Sequence, residues 1–437
     1  MKILLINLIY PFLSVYTLKT FKGLRKLLTN RFFQSLEFKP INLPLLATLT
    51  PKKHEIDIRV VHRYKDINFD VDYDIIGFSS TTLDSLETYK IADEFRSRGK
   101  TVVIGGCHPS ALPEEAKQHA DSVVIGEAEY LWLELLKDFE EKKLKPFYRQ
   151  DRMVEPKDIP NLAYSFSKEK SFVAGVQASR GCPIGCEFCA ITNQKYGRIF
   201  RTRPVENVIK EIETLPQKFI NFHDSSFTIN KDYTKSLFKE MKGLNKVFRC
   251  WMNADIPLDD EEFFKLASEA GCAAIEVGFE SISQETLNII GKKTNRASHY
   301  KAMIKKIHDY GIATGGTFMF GFDNDKKDVF NNVLNFIYES KLDIPRYAIL
   351  TPFPGTKLYE RLDKEGRIFD KDWSKYNFAN VVFKPKQMTP EELRSGFYML
   401  AGEVYSPPQV IRRIFRYSRL KTSAWVWKSV YNIGLMG

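Results

Sequence analysis

The stretch RGCPIGCEFCA, residues 180–190, contains three of the six cysteines in this chain of 437 residues. Cys182, Cys186 and Cys189 have the spacing C-x3-C-x2-C, so three thiols lie on one short loop. A structural zinc site normally takes four protein ligands, usually as two separated pairs. Three thiolates suit a [4Fe–4S] cluster instead, whose fourth iron is then open to bind a substrate or a cofactor.

A disulfide and a zinc site are the alternatives to a cluster on this loop. The remaining cysteines are scattered, at Cys107, Cys250 and Cys272. A disulfide within the loop would leave one thiol unpaired, and so few cysteines favour a reducing cytoplasm. His223 could complete a zinc site, although a lone histidine at a strand end is more often a polar site residue. Gly181 and Gly185 permit tight turns, and Phe188 could shield a cluster from solvent.

The residues around the loop predict a barrel. Apolar strands separated by amphipathic helices are expected at residues 174–181, 219–226, 247–255, 273–281, 313–322 and 346–356. Six strand–helix repeats predict a (β/α)6 partial TIM barrel over residues 171–370, with functional residues at the carboxyl ends of the strands. The cysteine loop follows the first of these strands and therefore lies at that end.

The segments on either side of the barrel have different patterns. Residues 1–140 alternate short apolar strands with helices, which predicts a doubly wound, Rossmann-like parallel sheet with a ligand crevice at the strand ends. Residues 141–170 are polar and contain proline, as expected of a linker. Residues 371–437 predict a small α-rich C-terminal region. The fold class is therefore α/β.

The net charge of +11 is unevenly distributed. Residues 18–31 are basic, and the chain has no acidic residue after Glu403 but six Arg and Lys. This basic tail predicts an amphipathic helix at a membrane interface, with Trp425 and Trp427 at the boundary. The alternative is a C-terminal helix packed on the protein with a solvated basic face. No segment is apolar over the length of a membrane span, and no nucleic-acid motif accompanies the charge. We therefore expect a cytoplasmic protein that can lie on the inner face of the membrane.

The cysteine motif, with an aromatic residue before its last cysteine and a (β/α)6 pattern after it, resembles the radical S-adenosylmethionine (SAM) superfamily. The resemblance implies that SAM binds the open iron and that reduction of the cluster cleaves SAM to a 5′-deoxyadenosyl radical. NFHDSSF, EVGFES, GTFMFGF and LTPFPGT look like the strand ends that contact SAM in this family. On the resemblance, SAM-contacting residues are expected at Phe188, His223, Asp224, Glu280, Ser281, Gly316 and Pro352.

The N-terminal domain resembles the cobalamin-binding domain that precedes the barrel in one large subgroup. The D-x-H-x-x-G signature of many cobalamin proteins is absent, since no histidine precedes His54, but many members of the subgroup also lack it. A second cluster, as in methylthiotransferases, would need more N-terminal cysteines than Cys107. The resemblance implies that cobalamin contacts residues at the strand ends: Asn7, Ser79, Thr81, Gly105, Gly106, His108, Gly126 and Glu127.

The later segments look like the branch that contains hopanoid C-2 methylases, archaeal lipid ring-forming synthases and bacteriochlorophyll side-chain methyltransferases. This resemblance implies C-methylation of an unactivated carbon on an apolar lipid, isoprenoid or tetrapyrrole, with flavodoxin or ferredoxin as the reductant. Tyr376 and Phe383 could line the substrate cavity or pack in the core. Two alternatives are a radical SAM enzyme that makes a C–C bond, a ring or an oxidised product without methyl transfer, and a non-catalytic iron–sulfur protein that docks on membrane or RNA.

Overall fold

The N-terminal part of the chain forms one parallel sheet. The computed structural model describes residues 1–8, 40–61, 64–162, 171–256, 258–416 and 419–435, so the basic segment 18–31 lies outside the described residues. The sheet has six strands in the order β2-β1-β3-β4-β5-β6. They are β1 (Lys2–Leu8), β2 (Glu55–Val61), β3 (Ile75–Ser79), β4 (Thr101–Gly105), β5 (Ser122–Ile125) and β6 (Phe147–Arg149). The expected doubly wound architecture is confirmed.

Both faces of this sheet are buried because its strands are apolar throughout. Ile3 and Leu5 point to one face, and Leu4 and Ile6 point to the other. The helices are α1 (Asn42–Leu49), α2 (Ser85–Ser97), α3 (Cys107–Ala111), α4 (Pro113–Lys117) and α5 (Glu129–Glu140). α1 and α5 pack on the face of Leu5, and α2 packs on the face of Leu4. Strand β6 lies within residues that the sequence assigned to a linker, so the sheet extends further than expected.

The second sheet has six parallel strands in the order β14-β13-β12-β11-β10-β7. They are β7 (Val173–Val176), β10 (Phe219–Phe222), β11 (Val247–Asn253), β12 (Cys272–Glu280), β13 (Ala313–Phe320) and β14 (Ile344–Ile349). The accompanying helices are α6 (Val205–Thr214), α7 (Lys231–Met241), α8 (Glu261–Glu269), α9 (Gln284–Ile289), α10 (Tyr300–Asp309), α11 (Val329–Ser340) and α12 (Lys357–Lys364). Sequential neighbours pair throughout, as a partial barrel requires.

A short antiparallel ribbon follows the first barrel strand. Its strands are β8 (Ser179–Arg180) and β9 (Arg201–Thr202), and the cysteine loop is the connection between them. The loop is thus closed at its base by hydrogen-bonded backbone. This arrangement fixes where the loop leaves and rejoins the barrel.

Three helices form the C-terminal region: α13 (Pro390–Val404), α14 (Pro407–Phe415) and α15 (Thr422–Leu435). α13 begins with a capping box, in which the side chains of Thr389 and Glu392 each accept a backbone N–H of the other. Tyr376 and Phe383 are fully buried, as packing residues are. The expected α-rich region is confirmed.

The C-terminal helix packs against the barrel. Trp427 is 7% exposed, and Arg249 of β11 lies over its ring at 5.6 Å. Lys428 is fully buried, with its Nζ 3.6 Å from an Asp343 carboxylate oxygen. The expectation that Trp427 lies at a membrane boundary is therefore wrong, because its indole fills space against the strands. Within the described residues, no helix is both long and apolar enough to cross a bilayer.

This packing makes a prediction about two nearby tryptophans. Trp427→Ala removes a buried ring and should lower the free energy of unfolding by about 3–5 kcal/mol. Trp425→Ala is the comparison: Trp425 is 40% exposed, so its removal should cost less, about 1–2 kcal/mol, including the loss of its indole hydrogen bond to the Ile414 carbonyl. Denaturant unfolding of both variants tests this. Equal losses would contradict the assignment of α15 to the barrel core.

Candidate functional site

The cysteine loop is held by its own backbone. The Cys182 N–H donates to the Gly197 carbonyl at 2.9 Å, and the Cys189 N–H donates to the Cys186 carbonyl at 3.1 Å. Gly181 has φ +82°, and a Cβ there would lie 2.2 Å from the Ile199 carbonyl oxygen. Only glycine fits that position, as the sequence indicated.

The thiols are shielded and close enough to influence one another. Burial raises the pKa of Cys186 to about 12 and also raises the pKa of Cys182. Among the residues that the structure describes, no three His, Cys, Asp or Glu side chains converge on a single ion. A cluster binds each thiolate through a separate iron, so spaced thiols on one loop fit a cluster. Half-buried Phe188 packs 6.2 Å from the Phe322 ring, beside the thiols.

A buried ion pair lies next to these cysteines. The Lys292 ammonium is 2.6 Å from a Glu280 carboxylate oxygen, and both residues are less than a tenth exposed. Burial disfavours the charge of Lys292, but the Glu280 carboxylate and the Cys186 thiol raise its pKa above the usual value. Glu280 has φ +62°, at an irregularity in the β12–β13 pairing. Gly278 leaves room for the pair, since a Cβ there would lie 2.6 Å from the Glu280 carboxylate.

The remaining residues expected to contact SAM lie in several environments. Asp224 accepts hydrogen bonds from the Ser179 hydroxyl at 2.5 Å and the Ala178 N–H at 3.1 Å, so it fastens the start of the ribbon. Burial raises its pKa to about 6. Ser281 is buried at the end of β12, where its hydroxyl accepts the Ser283 N–H at 3.1 Å.

On the fifth barrel strand, the glycine that faces the interior is Gly315, one residue before the Gly316 that was expected to contact SAM. A Cβ on Gly316 would lie 2.6 Å from the Phe279 ring, in the layer that packs on the helices. A Cβ on Gly315 would lie 2.0 Å from the Glu276 carboxylate, on the barrel side. Gly316 therefore faces away from the interior, because side chains alternate along a strand. Pro352 is buried just after β14.

A cavity of ≈ 340 Å³ lies where the two domains meet. From the N-terminal domain its lining includes the expected residues Ser79, Gly105, Gly106, Gly126 and Glu127. Apolar side chains of the same domain also line it: Leu5, Leu43, Val103, Val124 and Trp132. From the barrel side it is lined by polar residues: Gln177, Arg180, Gln194, Lys195, His223 and Ser225.

His223 thus lies at this cavity, although the sequence grouped it with the SAM contacts. Its backbone N–H donates to the Val176 carbonyl at 2.8 Å, which fixes the start of the turn after β10. Burial lowers its pKa to about 4, and the Arg249 charge acts in the same direction. The imidazole is therefore neutral at neutral pH.

Three residues expected at the cobalamin site are not among those that line the cavity: Asn7, Thr81 and His108. Asn7 is 6% exposed within β1. The Thr81 hydroxyl donates to the Asp84 carboxylate at 2.7 Å. His108 is fully buried between the Thr82 hydroxyl, 3.2 Å from its Nδ1, and the Glu115 carboxylate, 3.0 Å from its Nε2. Glu115 also accepts the Trp373 indole N–H at 3.1 Å, so His108 belongs to a contact with the C-terminal region.

Glu127 joins the two domains. Arg201 donates to both of its carboxylate oxygens, at 2.9 and 2.6 Å, and Arg180 lies 3.6 Å from it and 2.5 Å from Glu129. Burial alone would raise the pKa of Glu127, but the Arg201 hydrogen bonds and the Arg180 charge hold it below its usual value. Both arginines belong to the ribbon that carries the cysteine loop.

Arg180, Arg201 and Lys292 were missed from the sequence. Arg180 stands directly before the cysteine motif and Arg201 soon after it, but arginines near a loop are common and carry no pairing information. Lys292 belongs to the run GKKTN, where sequence does not tell which lysine is buried. Only the fold supplies their carboxylate partners.

Comparisons with known proteins identify three matched regions. Residues 44–136 match the family of B12 binding domains, residues 176–337 match the radical SAM superfamily, and residues 356–429 match a domain of unknown function, DUF4070. The chain is 33% identical to bacteriochlorophyllide d C-12(1)-methyltransferase of Chlorobaculum tepidum, over 89% of this chain and 86% of that protein. It is 32% identical to the C-8(2)-methyltransferase of the same organism, over 85% and 86%.

A solved structure shares the fold. The radical SAM methyltransferase TsrM from Kitasatospora setae, with cobalamin and a [4Fe-4S] cluster bound, superposes with a TM-score of 0.67 at 16% identity. The match covers 91% of this chain and 88% of that one. The arrangement of the two α/β domains is therefore one that known proteins adopt.

The loop chemistry predicts the effect of single cysteine replacements. Cys186→Ala should abolish the visible absorbance of an anaerobically reconstituted cluster and reduce bound iron and sulfide to the level of unreconstituted protein, because a cubane bound by three thiolates loses one ligand. Cys107→Ala, a cysteine outside the loop, is the control and should retain full iron. Equal iron in both variants would refute the assignment.

Proposed function

The chain belongs to the radical SAM superfamily, in the group whose members carry a B12-binding domain, and we propose that it transfers a methyl group to an unactivated carbon of a large apolar substrate. One observation carries the proposal. Residues of the cysteine loop, among them Arg180, Gly181, Ile191 and Gly197, line the same cavity as the strand ends of the N-terminal domain. A group held in that cavity therefore lies beside the cluster loop.

The cavity has the chemistry that a corrinoid needs. Its wall in the N-terminal domain is largely apolar, which suits the body of a large organic cofactor, and glycines at the ends of β4 and β5 let backbone approach closely. Its barrel wall offers amide, hydroxyl, ammonium and imidazole groups that can hydrogen-bond to amide side chains of a corrinoid. We propose that Ser79, Gly105, Gly106, Gly126 and Gln177 contact cobalamin.

The cofactors supply the radical and methyl-transfer chemistry, and the protein supplies binding, orientation and exclusion of water. Cys182, Cys186 and Cys189 would hold the cluster. The neighbouring Glu280–Lys292 pair gives the site one carboxylate and one ammonium, which suit the amino and carboxylate groups of an amino-acid-like cofactor. We include Ser281 in this proposed SAM site because it follows Glu280, and Phe188 because it lies between Cys186 and Cys189.

A tetrapyrrole is the substrate class that we favour. The two bacteriochlorophyllide d methyltransferases are matched over most of their length, and their names give a bacteriochlorophyllide as the substrate. A lipid or isoprenoid is the other apolar class in this branch. Both are large, so the methylated carbon would have to reach the cavity from the open side of the barrel.

A radical SAM enzyme requires an external electron donor. We propose flavodoxin or ferredoxin as that donor. We further propose that the enzyme works at a membrane surface, where apolar substrates of these classes are concentrated. This second point is supported by the basic C-terminal region, which carries no acid after Glu403.

Transfer from labelled SAM tests the reaction. Anaerobic enzyme with cluster, cobalamin, reductant and SAM carrying a deuterated methyl group should convert bacteriochlorophyllide to a product in which one hydrogen is replaced by the labelled methyl, as read by mass spectrometry. A hopanoid lipid serves as the comparison substrate, and Cys186→Ala as the inactive control. Formation of 5′-deoxyadenosine with an unlabelled, cyclised or oxidised product would overturn methyl transfer and favour the ring-forming alternative.

A further inference from the structure

Helices α14 and α15 carry a second apolar surface, opposite the one that packs on the barrel. Phe415 is 75% exposed, Ile411 55%, Trp425 40% and Val426 38%. The two helices are in contact, since the Trp425 indole N–H donates to the Ile414 carbonyl at 3.0 Å. We call the exposed apolar side chains of these two adjoining helices the α14–α15 face.

The spacing shows that this exposure is systematic. Ile411 and Phe415 are four residues apart, so they lie on one side of α14, while Val410 and Ile414 are buried on the other side. In α15, Trp425 and Val426 point outward next to the buried Ala424 and Trp427. Single exposed apolar residues are ordinary on protein surfaces, but a cluster of large ones usually marks an interaction site.

The six cations of this region differ in burial, and Arg416 is intermediate, 3.9 Å from an Asp343 carboxylate oxygen. Arg413 and Lys428 are buried, where they meet Asn432 and Asp343. Arg412, Arg419 and Lys421 are exposed, and the Lys421 ammonium donates to the Ser268 carbonyl at 2.7 Å. Two acidic groups approach them. Asp309 lies 4.0 Å from the Arg419 guanidinium. The pKa of Glu269 is lowered by its hydrogen bond with Lys242 and also by the charge of Lys421. The α14–α15 face is thus apolar with a net positive border.

We infer that the α14–α15 face docks on the surface of a bilayer that contains anionic lipid. Aromatic and aliphatic side chains that project beside arginine and lysine enter the boundary between headgroups and acyl chains, while the cations contact the lipid phosphates. This inference rests on the proposed function, because an apolar substrate would be held in such a membrane. It also gives the region of unknown function, residues 356–429, a role.

A second copy of the chain is a poorer occupant. In a two-fold symmetric pair the same surface meets itself, so the arginines and lysine of one face would lie against those of the other. Such like-charge contact is unfavourable. An acidic protein would satisfy the charges, and the experiment below distinguishes it from lipid.

Flotation of the full-length, cluster-loaded protein with vesicles tests the inference. Binding should be strong to phosphatidylcholine vesicles that contain phosphatidylglycerol and weak to phosphatidylcholine alone, and it should fall as salt is added. The double variant Ile411→Ser/Phe415→Ser should bind at least about tenfold more weakly, since it removes two side chains that would enter the lipid. Phe369→Ser is the matched control, because Phe369 is 51% exposed in a different part of the chain.

Charge variants and a fold check complete the test. Arg412→Gln/Arg419→Gln should weaken binding to anionic vesicles and leave binding to neutral vesicles unchanged, while thermal unfolding of every variant should match wild type. Absence of vesicle binding, equal binding to neutral and anionic vesicles, or equal loss in the Phe369→Ser control would overturn the inference, and an acidic protein partner would then be the remaining occupant. Formation of 5′-deoxyadenosine without vesicles reports separately on the proposed function, so the two can fail independently.

Discussion

The ion pairs between Glu127 and two arginines are the contact on which the arrangement of the site depends. Glu127 lies two residues after strand β5 of the N-terminal domain. Arg180 and Arg201 are paired across the two strands of the ribbon that carries the cysteine loop. The position of the cavity between the domains relative to the cysteine loop is therefore set by a bidentate charged contact of defined geometry. Because the pKa of Glu127 in the folded protein is lowered, its carboxylate is charged and the contact is present at neutral pH. The contact is lost only when the pH falls below this lowered pKa and the carboxylate is protonated.

The last helix of the barrel, α12, holds the same loop through a second set of contacts. Arg361 of α12 donates to both carboxylate oxygens of Glu187, the residue between the second cysteine and Phe188, and also to Asp323. The Leu358 N–H donates to the Glu187 carbonyl at 3.0 Å. The cysteine loop is thus fixed by both neighbouring parts of the chain, which is how a protein keeps a reactive centre in one geometry. The C-terminal region beyond α12 packs Trp427 against the barrel and carries the exposed α14–α15 face.

The sequence predicts the order of elements well and the direction of side chains poorly. Short apolar strands that alternate with helices indicate both parallel sheets, and the cysteine spacing indicates the cluster loop, because these are local patterns. Gly315, and not Gly316, faces the interior of the barrel. Which of the two does so depends on the register of the strand, and a strand that is apolar on both faces carries no sequence pattern that specifies its register. Trp427 was misjudged because its partner, Arg249, comes from a distant segment. His108 is held by Thr82 and by Glu115, which also binds Trp373 of the C-terminal region, and only the fold reveals that last contact.

The central claim is that cobalamin lies between the domains, beside the cluster loop. It is tested most directly by a crystal structure of the anaerobically reconstituted enzyme with anomalous diffraction recorded at the iron and cobalt edges. Iron peaks are expected on Cys182, Cys186 and Cys189, and a cobalt peak is expected in the cavity lined by Ser79, Gly105 and Gln177. A cobalt peak outside that cavity, or full iron occupancy with no cobalt bound at saturating cobalamin, would contradict it.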